Sequence, residues 1–83
     1  MRDHEFRKRA KQEIIKLVKD VYDEDILPEN IEVVFEAYIS GNTKAVMVTL
    51  PTGGRYFEVT YIPTSGKMYI DSYTKAGNKV VNV

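Results

Sequence analysis

The chain has 83 residues, 43% of them hydrophobic, and its twelve Lys and Arg balance its twelve Asp and Glu. That length supports one small domain (residues 1–83) with one core, the apolar content excludes a disordered tail, and the zero net charge excludes a generally basic nucleic-acid binder. With no Cys, disulfide scaffolds, thiol chemistry and Cys-ligated zinc are excluded too.

Residues 3–24 predict a helix. Phe6, Ala10, Ile14, Leu17, Val18 and Val21 recur at three- and four-residue spacings, and Ile15 and Tyr22 widen the stripe. Asp3 is the expected N-cap, and Pro28 closes the segment because the residue before a proline is pushed out of the helical region. No apolar run approaches the roughly 20 residues that span a bilayer. The charged stretch from Arg2 to Lys11 leaves no apolar signal-peptide core. Together these predict a cytoplasmic domain with no membrane partner; export would imply a longer precursor.

After Pro28 the period changes to two. The alternation predicts strands over 31–40, 44–50, 55–62, 67–74 and 79–83, separated by turn residues at Gly41-Asn42, 51–54, 63–66 and Gly77-Asn78. No connection has room for a crossover helix, so neighbouring strands must be antiparallel. The expected fold is α+β, one N-terminal helix packed on a four- to five-stranded antiparallel meander, similar to the cystatin-like architecture.

A Gly41-Asn42 turn sets Ala37 opposite Val46, Phe35 opposite Val48 and Val33 opposite Leu50. Four-residue turns at 51–54 and 63–66 set Val48 opposite Phe57, Val46 opposite Val59, Tyr61 opposite Met68 and Val59 opposite Ile70. One face then collects Val33, Phe35, Ala37, Ile39, Val46, Val48, Leu50, Phe57, Val59, Tyr61, Met68 and Ile70, the expected helix-covered core.

The opposite face reads, row by row, Glu36-Met47-Glu58-Asp71, then Tyr38-Ala45-Thr60-Tyr69, then Val34-Thr49-Tyr56-Tyr73. Glu36, Tyr38, Met47, Tyr56, Glu58, Tyr69, Asp71 and Tyr73 are the candidate binding residues. Aromatic side chains in such number exceed what solubility requires, and they suit anchoring of a protein or peptide partner, including a cationic one. Tyrosine also suits strands for its own sake, which is the plainer account of the same residues. Glu58 opposite Asp71 predicts one raised carboxyl pKa. Glu36, Glu58 and Asp71 could serve as hard oxygen ligands, but nothing supplies the loop carbonyls that calcium also favours, so no metal or cofactor is assigned.

Charge is segregated along the chain. Residues 1–19 carry seven cations and three anions, 20–36 carry seven anions and no cation, and 37–83 carry five cations and two anions. Solvated surface explains most such patterns. Arg2, Arg7, Lys8, Arg9 and Lys11 make a basic helix start with only Phe6 interleaved, which argues against nucleic acid as partner. His4 is the single histidine, in the first helical turn, and no nucleophile elbow, phosphate loop or dinucleotide fingerprint occurs, so the chain is read as non-enzymatic. A short fifth strand at the edge would let Val80–Val83 pair with a second copy. The alternative reading is a stand-alone structural or engineered domain with no dedicated site.

The stretch Tyr56-Phe57-Glu58-Val59, then Gly66-Lys67-Met68-Tyr69-Ile70-Asp71-Ser72-Tyr73-Thr74, then Lys79-Val80, resembles the closing hairpin of PepSY-type domains. The resemblance covers residues 55–80, with an ending three residues longer than that family's Thr-Gly-x-Val. It implies a helix-plus-meander module that binds peptides or inhibits peptidases. The inhibitory hairpin motif of the cystatins is absent, Ser40-Gly41-Asn42-Thr43 standing in its place.

Overall fold

The computed structural model describes residues 1–50, 55–74 and 77–83. Helix α1 spans Asp3–Tyr22, a 3-10 turn spans Pro28–Asn30, and four strands follow: β1 Ile31–Ile39, β2 Asn42–Thr49, β3 Arg55–Ile62 and β4 Lys67–Thr74. The sheet is an antiparallel meander in the order β1-β2-β3-β4, so the expected α+β class holds.

Helix α1 forms on the stripe its spacing predicts, burying Phe6, Ala10, Ile14 and Val18. Its ends differ from expectation. Arg2, in extended backbone, occupies the cap position without a side-chain hydrogen bond, and Asp3 is already helical. At the other end Asp23 turns left-handed (φ 54°), and its N–H donates to the Lys19 carbonyl at 3.1 Å. The chain then runs to Pro28. The Leu27 N–H donates to Asn30 Oδ1 at 2.9 Å, and the Asn30 carbonyl accepts from Leu50 N–H at 2.6 Å, which seats the start of β1.

Strands β3 and β4 pair in the expected register, Val59 opposite Ile70 and Tyr61 opposite Met68. Two other registers depart from it. The first hairpin turns on Ser40-Gly41 rather than Gly41-Asn42, with φ of 51° and 82° at the two positions, as a tight type I′ turn requires. Ile39 therefore faces Asn42, and Phe35 faces Val46. Between β2 and β3, Met47 faces Phe57 and Val46 faces Glu58, one residue away from expectation. The expected turn at 51–54 lies outside the described residues.

A one-residue slip exchanges the faces of a strand, and β2 is inverted accordingly. Ala45, Met47 and Thr49 are buried under the helix, while Val46 and Val48 take the outer face. Strand β1, at the edge of the sheet, follows β2 through a bulge between Val33 and Phe35. Before it, Ile31 and Val33 face inward opposite Thr49 and Met47; after it, Glu36 faces inward opposite Ala45, and Phe35 faces outward opposite Val46. The extra residue, Val34, is what lets one strand change its inward parity midway.

The core consists of Phe6, Ala10, Ile14 and Val18 against Ile31, Ala45, Met47, Phe57 and Val59, with Val33, Tyr61, Met68 and Ile70 packed around it. Of the expected members, Phe35, Ile39 and Leu50 are exposed, and Ala37, Val46 and Val48 are half-buried outside it. The expected fifth strand is absent. Gly77–Val83 carries no strand, and Val80, Val81 and Val83 are exposed. A strand persists only where a neighbour completes its backbone hydrogen bonds, and β4 ends at Thr74 without one for the tail.

Polar groups clasp the helix at both ends. Arg7 Nη1 donates to both Glu36 oxygens at 3.1 and 3.3 Å. At the far end the Tyr22 and Ser72 hydroxyls are 2.8 Å apart, the Arg55 guanidinium lies 3.8 Å from the Tyr22 ring centroid, and Arg55 Nη1 donates to Glu24 at 2.8 Å. That guanidinium holds the Glu24 carboxyl below its ordinary value. One buried group is unsatisfied: the Thr49 hydroxyl has no partner among the described residues.

Candidate functional site: the uncovered sheet face

The helix covers one side of the sheet, and the strand pleat delivers every second side chain to the other. Ladder pairing assembles that outer face in three rows: Glu32-Val48-Tyr56-Tyr73, Phe35-Val46-Glu58-Asp71, and Ala37-Lys44-Thr60-Tyr69. Its β1–β2 half is mainly aliphatic and phenyl; its β3–β4 half carries three tyrosines and two carboxylates. Phe35 is 55% exposed, and Tyr69, Tyr56 and Tyr73 are 49%, 40% and 38% exposed. No part of the described chain covers them.

The tyrosine half is organised. Tyr56 and Tyr73 face each other across β3 and β4 and stack, with ring centroids 5.1 Å apart and planes inclined by 11°. Lys44 Nζ reaches Glu58 Oε1 at 3.0 Å. Hydrogen bonding from Lys44, and after it from Tyr73, holds the Glu58 carboxyl below its ordinary value. The same bond to Glu58 raises the Tyr73 phenol. The expected raised carboxyl is therefore corrected at Glu58: it lies opposite Asp71, but the ammonium and phenol donors favour its charged form.

Five of the eight candidate residues, Tyr56, Glu58, Tyr69, Asp71 and Tyr73, share this face. Three do not. Met47 is fully buried beneath the helix, displaced by the inversion of β2. Glu36 lies on the helix side, paired with Arg7. Tyr38 pairs with Thr43, which pairs with Tyr61, and this row too belongs to the helix side, where Tyr38 is exposed beyond the core. The three-carboxylate row is thereby split between two faces. Among the described residues no group of three His, Cys, Asp or Glu is placed to hold a metal ion.

Glu32, Phe35, Ala37, Lys44, Val46 and Val48 are the face residues absent from the expected rows. On β1 the signal was the unbroken apolar run Val33-Val34-Phe35, which strict alternation does not accommodate; on β2 the Ser40-Gly41 turn sets which residues face outward.

Among the described residues, open grooves flank the helix on its own side of the sheet. One, of about 380 Å³, is lined by His4, Arg7, Lys8, Lys11, Gln12 and Pro28 and holds no Phe, Tyr or Trp. Another, of about 630 Å³, runs between Leu17 and Val21 on the helix and Tyr61, Met68 and Ile70 on the sheet. Neither includes Glu58 or Asp71. Among the described residues no helix is long and apolar enough to cross a membrane.

No curated protein and no solved structure matches the chain. A family model does match, over residues 7–83, a span that takes in most of the helix, all four strands and the tail. The chain belongs to DUF6275, a family of unknown function.

Proposed function

We propose that this chain is a non-enzymatic binding module whose uncovered sheet face recognises a protein or peptide. The observation that carries the reading is the exposure of Phe35, Tyr56, Tyr69 and Tyr73 on one continuous face of a domain whose core is complete without them. Single exposed apolar residues are ordinary, but a contiguous patch rimmed by charge marks an interaction surface. Tyrosine supplies large contact area at small entropic cost, and stacking of Tyr56 on Tyr73 further limits the motion of both rings. Glu58 and Asp71 beside them suit a partner that carries Lys or Arg next to apolar residues. The β3–β4 hairpin, source of the resemblance to PepSY-type modules, contributes all five retained candidate residues, consistent with a peptide ligand.

Selection from a random peptide display library on the immobilised protein tests this. Enriched sequences should combine basic and apolar residues. A selected peptide should lose its binding to Phe35→Ser and Tyr56→Ser variants whose circular dichroism is unchanged. A library that yields no binder, or binders indifferent to both substitutions, removes the reading.

A further inference from the structure

Strand β4 has an open edge, and we infer that a second copy of this chain docks there, β4 against β4, joining two sheets into one of eight strands. The contact leaves the outer face of each copy uncovered, so it goes beyond the recognition reading and does not depend on it.

The two edges of the sheet differ. Strand β1 is interrupted by the bulge at Val34, whereas β4 keeps an unbroken register with β3 from Lys67 to Thr74. Among the described residues no strand pairs with the other side of β4. A regular edge of this kind presents unpaired backbone donors and acceptors, which bulges, prolines or charges ordinarily protect. Strand β4 has neither bulge nor proline. Its two charges, Lys67 and Asp71, lie on one face of the strand, and neither enters an ion pair among the described residues.

The spacing of those charges selects a register. A two-fold axis perpendicular to the sheet pairs β4 with its mate antiparallel and sets opposite residues on the same face. With the axis at Tyr69, Lys67 of each copy faces Asp71 of the other on the outer side. On the helix side Met68 of each then faces Ile70 of the other. Two opposite-charge pairs and two apolar pairs therefore form at once, each of a kind that stabilises adjacent strands. An axis one residue further on, at Ile70, would face Lys67 with Tyr73 and Asp71 with Tyr69, leaving both charges without a partner.

The helix suits the same axis. It crosses the sheet obliquely, from Arg7 on Glu36 of β1 to Tyr22 on Ser72 of β4, and leaves the hairpin end of β3 and β4 half-covered. There Tyr61, Met68 and Ile70 form the floor of the groove of about 630 Å³, with Arg9, Glu13 and Lys16 along its helix side. An axis at Tyr69 brings Ser72 of one copy level with Gly66 of the other. The last turns of the second helix, where Val21 is 64% exposed, therefore arrive beside that groove and find an apolar floor. Glu13 already accepts from Arg9 and Lys16 within one copy, which leaves that trio one cation in excess. The incoming Asp20, in no ion pair among the described residues, supplies the matching anion. Charge segregated along the chain, basic over residues 1–19 and acidic over 20–36, is thus matched across the axis.

Sedimentation equilibrium over about 1–500 μM decides, because association follows mass action. The intact chain should show twice its 9.5 kDa mass at the higher concentrations. Asp71→Lys sets lysine against lysine and Lys67→Asp sets aspartate against aspartate, so each variant alone should associate about thirtyfold more weakly. An equimolar mixture of the two variants restores both ion pairs and should associate as the intact chain does. Asp20→Arg, on the helix side of the sheet, should weaken association about tenfold. Circular dichroism should be unchanged in all three variants. A chain that is monomeric throughout overturns the inference and leaves the β4 edge to an extended peptide. So does a dimer whose strand variants are not restored by mixing. A dimer indifferent to Asp20→Arg overturns it as well, since Lys67 and Asp71 lie on the outer side and only the β4 seam joins them to the helix in one contact. In each of those cases peptide selection on the outer face still judges the recognition reading separately.

Discussion

The two faces of this sheet are made by the same strands, often by adjacent residues, and they treat polar groups in opposite ways. The inner face takes Ala45, Met47, Phe57 and Val59 wholly out of water and confines charge to its margins, where Arg7–Glu36 and Arg55–Glu24 clasp the helix. The outer face sets the Lys44–Glu58 pair directly beside Val46 and the Tyr56–Tyr73 stack and leaves all of them partly wet. Such a mixture adds little to folding, because exposed pairs and half-covered rings contribute little. Under the proposed recognition role it is the composition of a contact surface, and the difference separates residues that hold the fold from residues left on the open face.

The sharpest way to break this comparison uses two neighbours on β3. Phe57→Ala should cost about 4 kcal/mol, since a buried phenyl is lost and its cavity remains. Tyr56→Ala, one residue away on the outer face, should cost only about 1 kcal/mol, mostly the stack with Tyr73. Urea denaturation of both variants checks this, and equal losses would mean that the outer face is part of the core. A smaller effect of opposite sign is expected at Thr49. Replacing its buried, unpartnered hydroxyl by a methyl in Thr49→Val should raise stability by about 1 kcal/mol; a loss would show that the hydroxyl has a partner.

Smaller still is the first turn. Ser40 sits at φ 51°, where asparagine is better tolerated, so Ser40→Asn should raise stability by about 0.5 kcal/mol in a thermal melt. The gentlest test is pH. Glu24 and Glu58 titrate below their ordinary 4.5 in the folded chain. Their contribution to stability is therefore present above that value and lost as pH falls through the lower folded values. The raised Tyr73 phenol works the other way, its contribution present below the ordinary 10.0 and lost as pH rises through the higher folded value. Urea midpoints should decline at both extremes, and Glu24→Gln with Glu58→Gln should flatten the acid limb.

Most of the architecture was legible because its signals are local. The helix stripe Phe6, Ala10, Ile14, Val18 and the register of β3 with β4 follow from spacing and from a four-residue turn closed by Gly66 at φ 67°. Strand β2 was misread because Ala45-Val46-Met47-Val48 is apolar at every position, so alternation cannot say which side faces the helix. The Ser40-Gly41 turn was hidden because serine seldom adopts a left-handed backbone, and Gly41-Asn42 offered the better-known pair. Those two ambiguities, with the bulge, account for Glu36 and Met47 being placed with Glu58 and for Phe35 and Val46 being assigned to the core. The candidate site was thus legible in its β3–β4 half, where residue types alternate, and illegible in its β1–β2 half, where they do not.

The bulge bears also on how this family can vary in length. Val34 has no counterpart across the ladder, while Val33 and Phe35 already face the adjacent residues Met47 and Val46. A deletion at Val34 would leave every existing pair intact and simply straighten the strand. A deletion at any paired position inside β2 or β3 would send each side chain beyond it to the wrong layer. Tolerance of lost residues within the sheet is therefore concentrated at one site, and homologues one residue shorter in β1 should be the natural record of it.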